Sequence, residues 1–244
     1  MPTNNNINNT KGVLYLIPCT LGEGEVDDVI PPLVKSIINT IDNYIVEEIR
    51  TARRFLKKAG INKSIDELIF YELNEHTGEL IDTTKYLDAA MDGNNVGIIS
   101  EAGCPVIADP GYNVVRAAHA KGIKVVPLTG PSSILLALMA SGFNGQCFTF
   151  HGYLPKMKSE RIQKIKEIES RARQKSETQI FIETPYRNNQ LLEDLLVACN
   201  TGTLISIACN LSLPDEYVYT CTVGEWKQKN NNFHKVPAVF LLSV

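Results

Sequence analysis

Residues 96–111 read VGIISEAGCPVIADPG. Val96–Ser100 is a short apolar run, and glycine and proline then recur at Gly103, Pro105, Pro110 and Gly111. A run this short, closed by turn residues, predicts a strand buried on both faces and a stiff loop after it. Val114–Ala120 follows, closed by Gly122, a good residue for ending a helix. Ile123–Leu128 is the next apolar run. Strand, loop, helix and strand form the repeating unit of a parallel sheet.

The same alternation runs back toward the start. Val13–Ile17, Tyr44–Ile49 and Glu67–Tyr71 have strand length and composition. Pro31–Asp42 carries Leu33, Ile37 and Ile41 four residues apart, with prolines where a first helical turn tolerates them. Thr51–Ala59 ends at Gly60, and Asp82–Met91 ends shortly before Gly93. The first half therefore predicts an α/β layer with a largely parallel sheet.

Beyond Leu128 the pattern changes. Helices are predicted at Ile134–Ala140, Glu160–Lys175 and Asn189–Cys199, and strands at Cys147–Phe150 and Gln179–Glu183. Leu204–Asn210, Tyr217–Thr222 and Pro237–Leu242 then follow with no helix predicted between them, which points to antiparallel pairing. The polar stretch Lys227–Asn232 is expected to be a hairpin loop. Three segments result: an Asn-rich, disordered tail over 1–11, an α/β domain over 12–129, and a second α/β domain with a mixed sheet over 130–244.

Composition narrows the function classes. At 44% hydrophobic and 21% charged residues, the 244-residue chain is too apolar for wholesale disorder. No run approaches the roughly 20 apolar residues of a membrane span. The polar start lacks the apolar core of a signal peptide, so a cytoplasmic protein is expected. A net charge of −3 gives no global basic field and weighs mildly against nucleic acid. None of the six cysteines has C-x-x-C or zinc spacing, and no metal site is expected. Cys147, Cys199, Cys209 and Cys221 lie in or beside apolar runs and are expected to be buried.

Four strand-end loops could carry chemistry, and each also has a purely structural reading. The 99–111 loop leaves the end of a parallel strand, where ligands bind in such sheets, or is a rigid turn. In Pro127–Ser133, Ser132 or Ser133 either caps a helix or offers that helix start to a polar ligand. In His151–Lys156, Tyr153 could stack on an aromatic ligand or belong to the core. In Glu183–Arg187, the two end residues could pair, or Arg187 could face an anion. The loop Gly22-Glu-Gly24 is too short and acidic for a phosphate cradle. No catalytic triad can be assigned.

Taken together, these loops resemble a known family. Residues 100–112, SEAGCPVIADPGY, are similar to the S-D-A-G-T-P-x-I-S-D-P-G motif of the ribosomal small-subunit RNA 2′-O-methyltransferase I family. GPSS at 130–133, ASG at 140–142, FHGYLP at 150–155 and ETPYR at 183–187 match its later motifs in order, and Glu47–Arg50 and Asn74-Glu75 match weaker ones. The family belongs to the tetrapyrrole methylase superfamily. The resemblance implies two α/β domains with S-adenosylmethionine (SAM) in the cleft between them, and a homodimer. It implies SAM contacts at Gly103, Cys104, Pro105 and Ile107, at Ser132, Ser133 and Ile134, and at Tyr153, Leu154, Asn210, Pro237 and Ala238.

The chain departs from the family pattern in places. Pro18-Cys-Thr-Leu-Gly22 stands where the family reads P-I-G-N, Glu101 replaces Asp, and residues 210–216 read NLSLPDE in place of E-L-T-K-x-x-E. The family's usual C-terminal extension is expected to be missing. Three readings stay open. The first is a methyltransferase acting on small-subunit ribosomal RNA, with Arg50, Arg53, Arg54, Lys57, Lys58, Lys156 and Lys158 as a basic rim. The second is a tetrapyrrole-type methyltransferase, and the third a SAM-binding or ribosome-associated protein without catalysis. Glu101, Asp109 and Glu183 are the acidic candidates near the site, and none is assigned as the base.

Overall fold

The computed structural model describes residues 10–73 and 83–244. The predictions for the 1–9 part of the tail, for Asn74-Glu75 and for residue 82 lie outside them. The chain divides into two compact units, Met1–Pro131 and Ser132–Val244.

In the first unit the elements are β1 (Val13–Ile17), α1 (Val26–Val29), α2 (Pro32–Ile38), β2 (Asn43–Val46), α3 (Ile49–Lys58), β3 (Ile69–Glu72), α4 (Asp88–Met91), β4 (Val96–Ile99), α5 (Tyr112–Ala120) and β5 (Lys124–Pro127). The five strands are all parallel, in the order β3-β2-β4-β1-β5. Both faces of the sheet are covered, because side chains alternate along each strand. Ile17, Tyr44, Val46 and Ile99 meet α1, α2 and α3 on one face. Leu14, Ile45, Val96 and Ile98 meet α4 and α5 on the other.

The expected strand Tyr44–Ile49 ends early, and the cause is local. The Glu48 carboxylate accepts from the backbone N–H groups of Arg50 and Thr51 and caps α3, so Ile49 starts a helix. The expected helix up to Met91 is a 3-10 turn at Thr83–Leu87 followed by the short α4.

The second unit contains α6 (Ser133–Ser141), β6 (Phe148–Tyr153), α7 (Lys158–Lys175), β7 (Thr178–Ile182), α8 (Asn188–Ala198), β8 (Leu204–Cys209), β9 (Tyr217–Thr222), α9 (Val223–Trp226) and β10 (Ala238–Ser243). Its sheet runs β6-β7-β10-β8-β9 and is mixed: β6 and β7 are parallel, the other pairs antiparallel. The expected antiparallel pairing is found, but the expected hairpin is not. β10 passes β9 and inserts between β7 and β8. The reason lies in side chains: Phe240 stacks on Phe181 of β7, and β10 is buried along nearly its whole length. That position suits the apolar run better than an edge. The 227–237 segment instead folds back on α8, where Asn189 accepts from the Phe233 N–H and donates to Asn232.

Candidate active site

In the first unit, all five strands point their carboxyl ends to the same edge of the sheet, because all are parallel. β1 and β4 are neighbours there, yet the chain leaves them in opposite directions. β1 leads to α1 on one face and β4 to α5 on the other. Such a point of divergence opens a crevice at the strand ends, where ligands bind in open α/β sheets. The two loops are joined by the Cys19 N–H, which donates to the Gly103 carbonyl at 2.8 Å. The β4 loop is joined to the one after β5 by the Cys104 thiol, which donates to the Pro131 carbonyl at 3.4 Å. Beside them lies a cleft of about 170 Å³, lined in part by Thr20, Leu21, Arg54, Lys58 and Glu101.

The backbone of the 100–111 loop is unusual. Gly103 and Gly111 have positive φ, and so do the non-glycine residues Val106 (73°) and Ala108 (66°). A β-branched residue in the left-handed region is strained by about 1–3 kcal/mol. Residues of positive φ set between residues of negative φ turn their N–H groups into a concave, anion-accepting surface.

In the second unit the register brings five predicted contacts to one edge. Tyr153 lies opposite Ile182, which lies opposite Val239. Ala238 lies opposite Cys209, and the Asn210 N–H donates to the Pro237 carbonyl at 3.2 Å. So the ends of β6, β7 and β8 and the start of β10 share an edge that carries Tyr153, Leu154, Asn210, Pro237 and Ala238. Ser132 caps α6 by accepting from the Leu135 N–H, and Ser133 and Ile134 form the first turn.

The family model for Tetrapyrrole (Corrin/Porphyrin) Methylases matches residues 37–227. The chain belongs to this methylase family. It is 29% identical over 245 residues to a ribosomal RNA small subunit methyltransferase I of Escherichia coli O157:H7, covering 99% of this chain and 81% of that one. It is 31% identical over 222 residues to the protein of that name from Pasteurella multocida, covering 91% and 74%. The solved uroporphyrin-III-C-methyltransferase of Thermus thermophilus shares the fold, with a TM-score of 0.57 at 15% identity over 96% of this chain and 94% of that one. The protein is thus a methyltransferase by family.

Within the methylase the predicted residues differ in what they can offer. Gly103 and Pro105 are buried, and a Cβ built on Gly103 would meet Leu21 at 3.0 Å, so this part of the loop works through its backbone. Ile107 and Tyr153 are exposed and can present side chains. Leu154 turns into the core beside α7 and α8. Glu183 and Arg187 form an ion pair at 2.5 Å, and Glu183 also accepts from the Thr184 N–H. That pair takes Glu183 out of the set of candidate bases.

Asp109 is held differently. Burial pushes its carboxyl up to about 6, and the charge of Glu101 adds to the push, while a hydrogen bond from Ser100 opposes it. The thiols of Cys19 and Cys104 are pushed up by burial, which keeps them protonated at neutral pH. Among the described residues, no group of three His, Cys, Asp or Glu side chains stands ready to hold a metal ion. No helix among them is long and apolar enough to cross a membrane.

One expectation from the sequence needs correction. Cys147 is exposed, because it precedes β6 in the loop after α6 instead of lying inside the strand. Helix α7 buries charge within its length. Arg161 and Glu169 are buried, Arg161 against Asp194 and the carbonyls of Pro155 and Lys156. Glu169 accepts from Asn200 and Thr203. In the sequence the Cys19–Gly22 loop stands out only as a departure from the family pattern, not as one of the four candidate loops. Its signal was position: it leaves the first strand of the alternating pattern, where a parallel sheet opens toward ligands.

Proposed function

We propose that the protein is a SAM-dependent methyltransferase whose substrate is RNA of the small ribosomal subunit. The observation that carries the reading is the strained loop 100–111 at the divergence of β1 and β4. It occurs in a chain of the methylase family whose curated relatives are named for that RNA.

The residues fit such a cofactor. The backbone of Gly103, Cys104, Pro105 and Ile107 would take its polar amino-acid end in the first unit. Ser132, Ser133 and Ile134, together with Tyr153, Leu154, Asn210, Pro237 and Ala238, would serve in the second. When bound, SAM supplies a methyl group already activated on a sulfonium. The protein's part is then to position the acceptor and exclude water. Where the acceptor is a hydroxyl, Asp109 is the side chain suited to accept its proton. Its raised affinity for a proton still leaves it ionised at neutral pH. The same reading makes the protein a cytoplasmic homodimer, as the family resemblance implies.

Calorimetric titration with SAM, followed by methyl transfer from labelled SAM to small-subunit RNA, tests the proposal. A tetrapyrrole precursor serves as the competing acceptor. Micromolar binding and label in RNA are expected. Folded protein that binds no SAM would overturn the cofactor reading, and label only in the tetrapyrrole would overturn the RNA reading.

A further inference from the structure

Helix α3 carries two faces. Ala52, Phe55 and Leu56 point into the core, and the outer side presents Arg50, Arg53, Arg54 and Lys57. These four stand at i, i+3, i+4 and i+7, which places them on one stripe. Lys58 follows. Like charges four residues apart weaken an isolated helix, so the stripe is not explained by helix stability. Nor does it follow from composition, since the chain as a whole is acidic by three charges.

Three acids around the stripe are already engaged. Glu48 spends its carboxylate on the α3 cap, Asp66 pairs with Arg53, and Glu23 pairs with Lys58. Among the described residues Arg50, Arg54 and Lys57 have no ion-pair partner. Arg53 is held in place between Asp66 and the ring of Phe70. A groove of about 450 Å³ lies along the stripe, lined by Ile49, Ile65, Arg50, Arg53, Arg54 and Lys57 and by Glu48, whose carboxylate is held by the α3 cap.

We propose that this face of α3 binds the sugar-phosphate backbone of the RNA substrate. The inference rests on the RNA reading given above and assigns that reading a surface. Three of the four cations are arginines, whose planar forks match phosphate oxygens two at a time. From Arg50 to Lys57 the stripe is about 10 Å long, the rise of seven helical residues. That length covers about three phosphates at the axial spacing of one strand in a duplex. The helix also starts directly after β2, at the same carboxyl edge that carries the 100–111 loop. Backbone held on α3 is therefore held beside the edge where the chemistry is proposed.

The test uses the full chain and the double variant R50Q/K57Q, which leaves Arg54 of the cleft beside the 100–111 loop intact. Both side chains are exposed, and glutamine keeps the helix propensity, so the fold is retained. Binding to deproteinised small-subunit RNA is measured at several salt concentrations, with SAM affinity measured in parallel. The variant should bind RNA at least about tenfold more weakly. Its log–log salt dependence should be shallower by about 1.5, the share of two lost phosphate contacts. SAM affinity should stay the same. RNA binding and salt slope equal to the parent's would overturn the assignment of α3 while leaving the RNA reading intact. A parent chain that binds SAM but no RNA would overturn both. Parent and variant that differ only toward an acidic protein partner would also overturn it.

Discussion

Replacing Gly130 by alanine should damage the site from outside it. A Cβ built on Gly130 would lie 2.3 Å from both Cβ and Cγ of Pro18. Carbon atoms in contact sit about 3.5–4.0 Å apart, so the two loops must separate by more than about 1 Å. Pro18 is a ring and cannot swing aside as a longer side chain would. Overpacking of this kind costs about 1–3 kcal/mol, and a rigid neighbour puts Gly130→Ala in the upper half of that range. Pro18 adjoins Cys19, whose N–H is bonded to Gly103, so the shift reaches the 100–111 loop. Urea unfolding and SAM calorimetry on the same sample should show both a loss of about 2–3 kcal/mol and weakened SAM binding. Gly145→Ala is the control. Its Cβ would meet nothing within 4 Å, so its stability should stay within about 0.5 kcal/mol of the parent. If Gly130→Ala matched that control in stability, the close approach of the two loops would be wrong. If stability fell but SAM binding held, the coupling through Pro18 to the loop would be wrong.

Arg161→Met should cost about 3–5 kcal/mol in urea unfolding, because it removes the buried partner of the Asp194 carboxylate and leaves only the exposed Lys158 at 3.6 Å. Adding Asp194→Leu should recover most of that loss, and failure to recover would mean that Arg161 matters for its carbonyl bonds instead. Asp109→Asn should change the pH dependence of stability. The native carboxyl holds its proton up to about pH 6, against 3.8 for its ordinary value, so parental stability falls as pH rises through that window. The variant escapes the fall and should gain about 1 kcal/mol at pH 7.5, after allowance for solvent screening. The same variant should lose methyl transfer while keeping SAM affinity, which labelled-SAM assays can check.

The parallel half of the fold was legible because its rule is local. Short apolar runs closed by glycine or proline predicted β1 and β4, and Gly122 marked the end of α5. What escaped was decided by distant partners. Nothing near Pro237–Leu242 announces that this run lies between β7 and β8, because Phe181 is more than fifty residues away. Arg161 looks like any surface cation until Asp194 is known to face it. The site was legible in its loops, since glycine and proline at strand ends are visible in one dimension. The Cys19–Gly22 loop was not, since it lacks a glycine pattern and gains its meaning from lying next to β4.

Several costs fall on one stretch of chain. Val106 and Ala108 sit in a strained backbone region, and Asp109 keeps a carboxyl that would be easier to ionise in water. Elsewhere the α/β framework relieves such costs: α3 is capped by Glu48, α9 by Thr222 and Glu225, and Glu169 has three hydrogen bonds. Among the described residues, Ser176, Asn210, Ser212 and Lys235 also have positive φ, but these are polar residues. Val106 and Ala108 are apolar and stand beside a desolvated carboxyl. That concentration of conflict points to a use other than folding. Strained backbone turns N–H groups toward a ligand, and a desolvated carboxyl holds a proton more tightly. Both are properties that binding a polar cofactor and deprotonating an acceptor would require. The basic stripe of α3 follows the same logic at longer range, since its repulsion is tolerated on a helix that begins at the same edge. Strain, desolvation and unpaired charge thus gather around the carboxyl edge of the first sheet, where the topology opens.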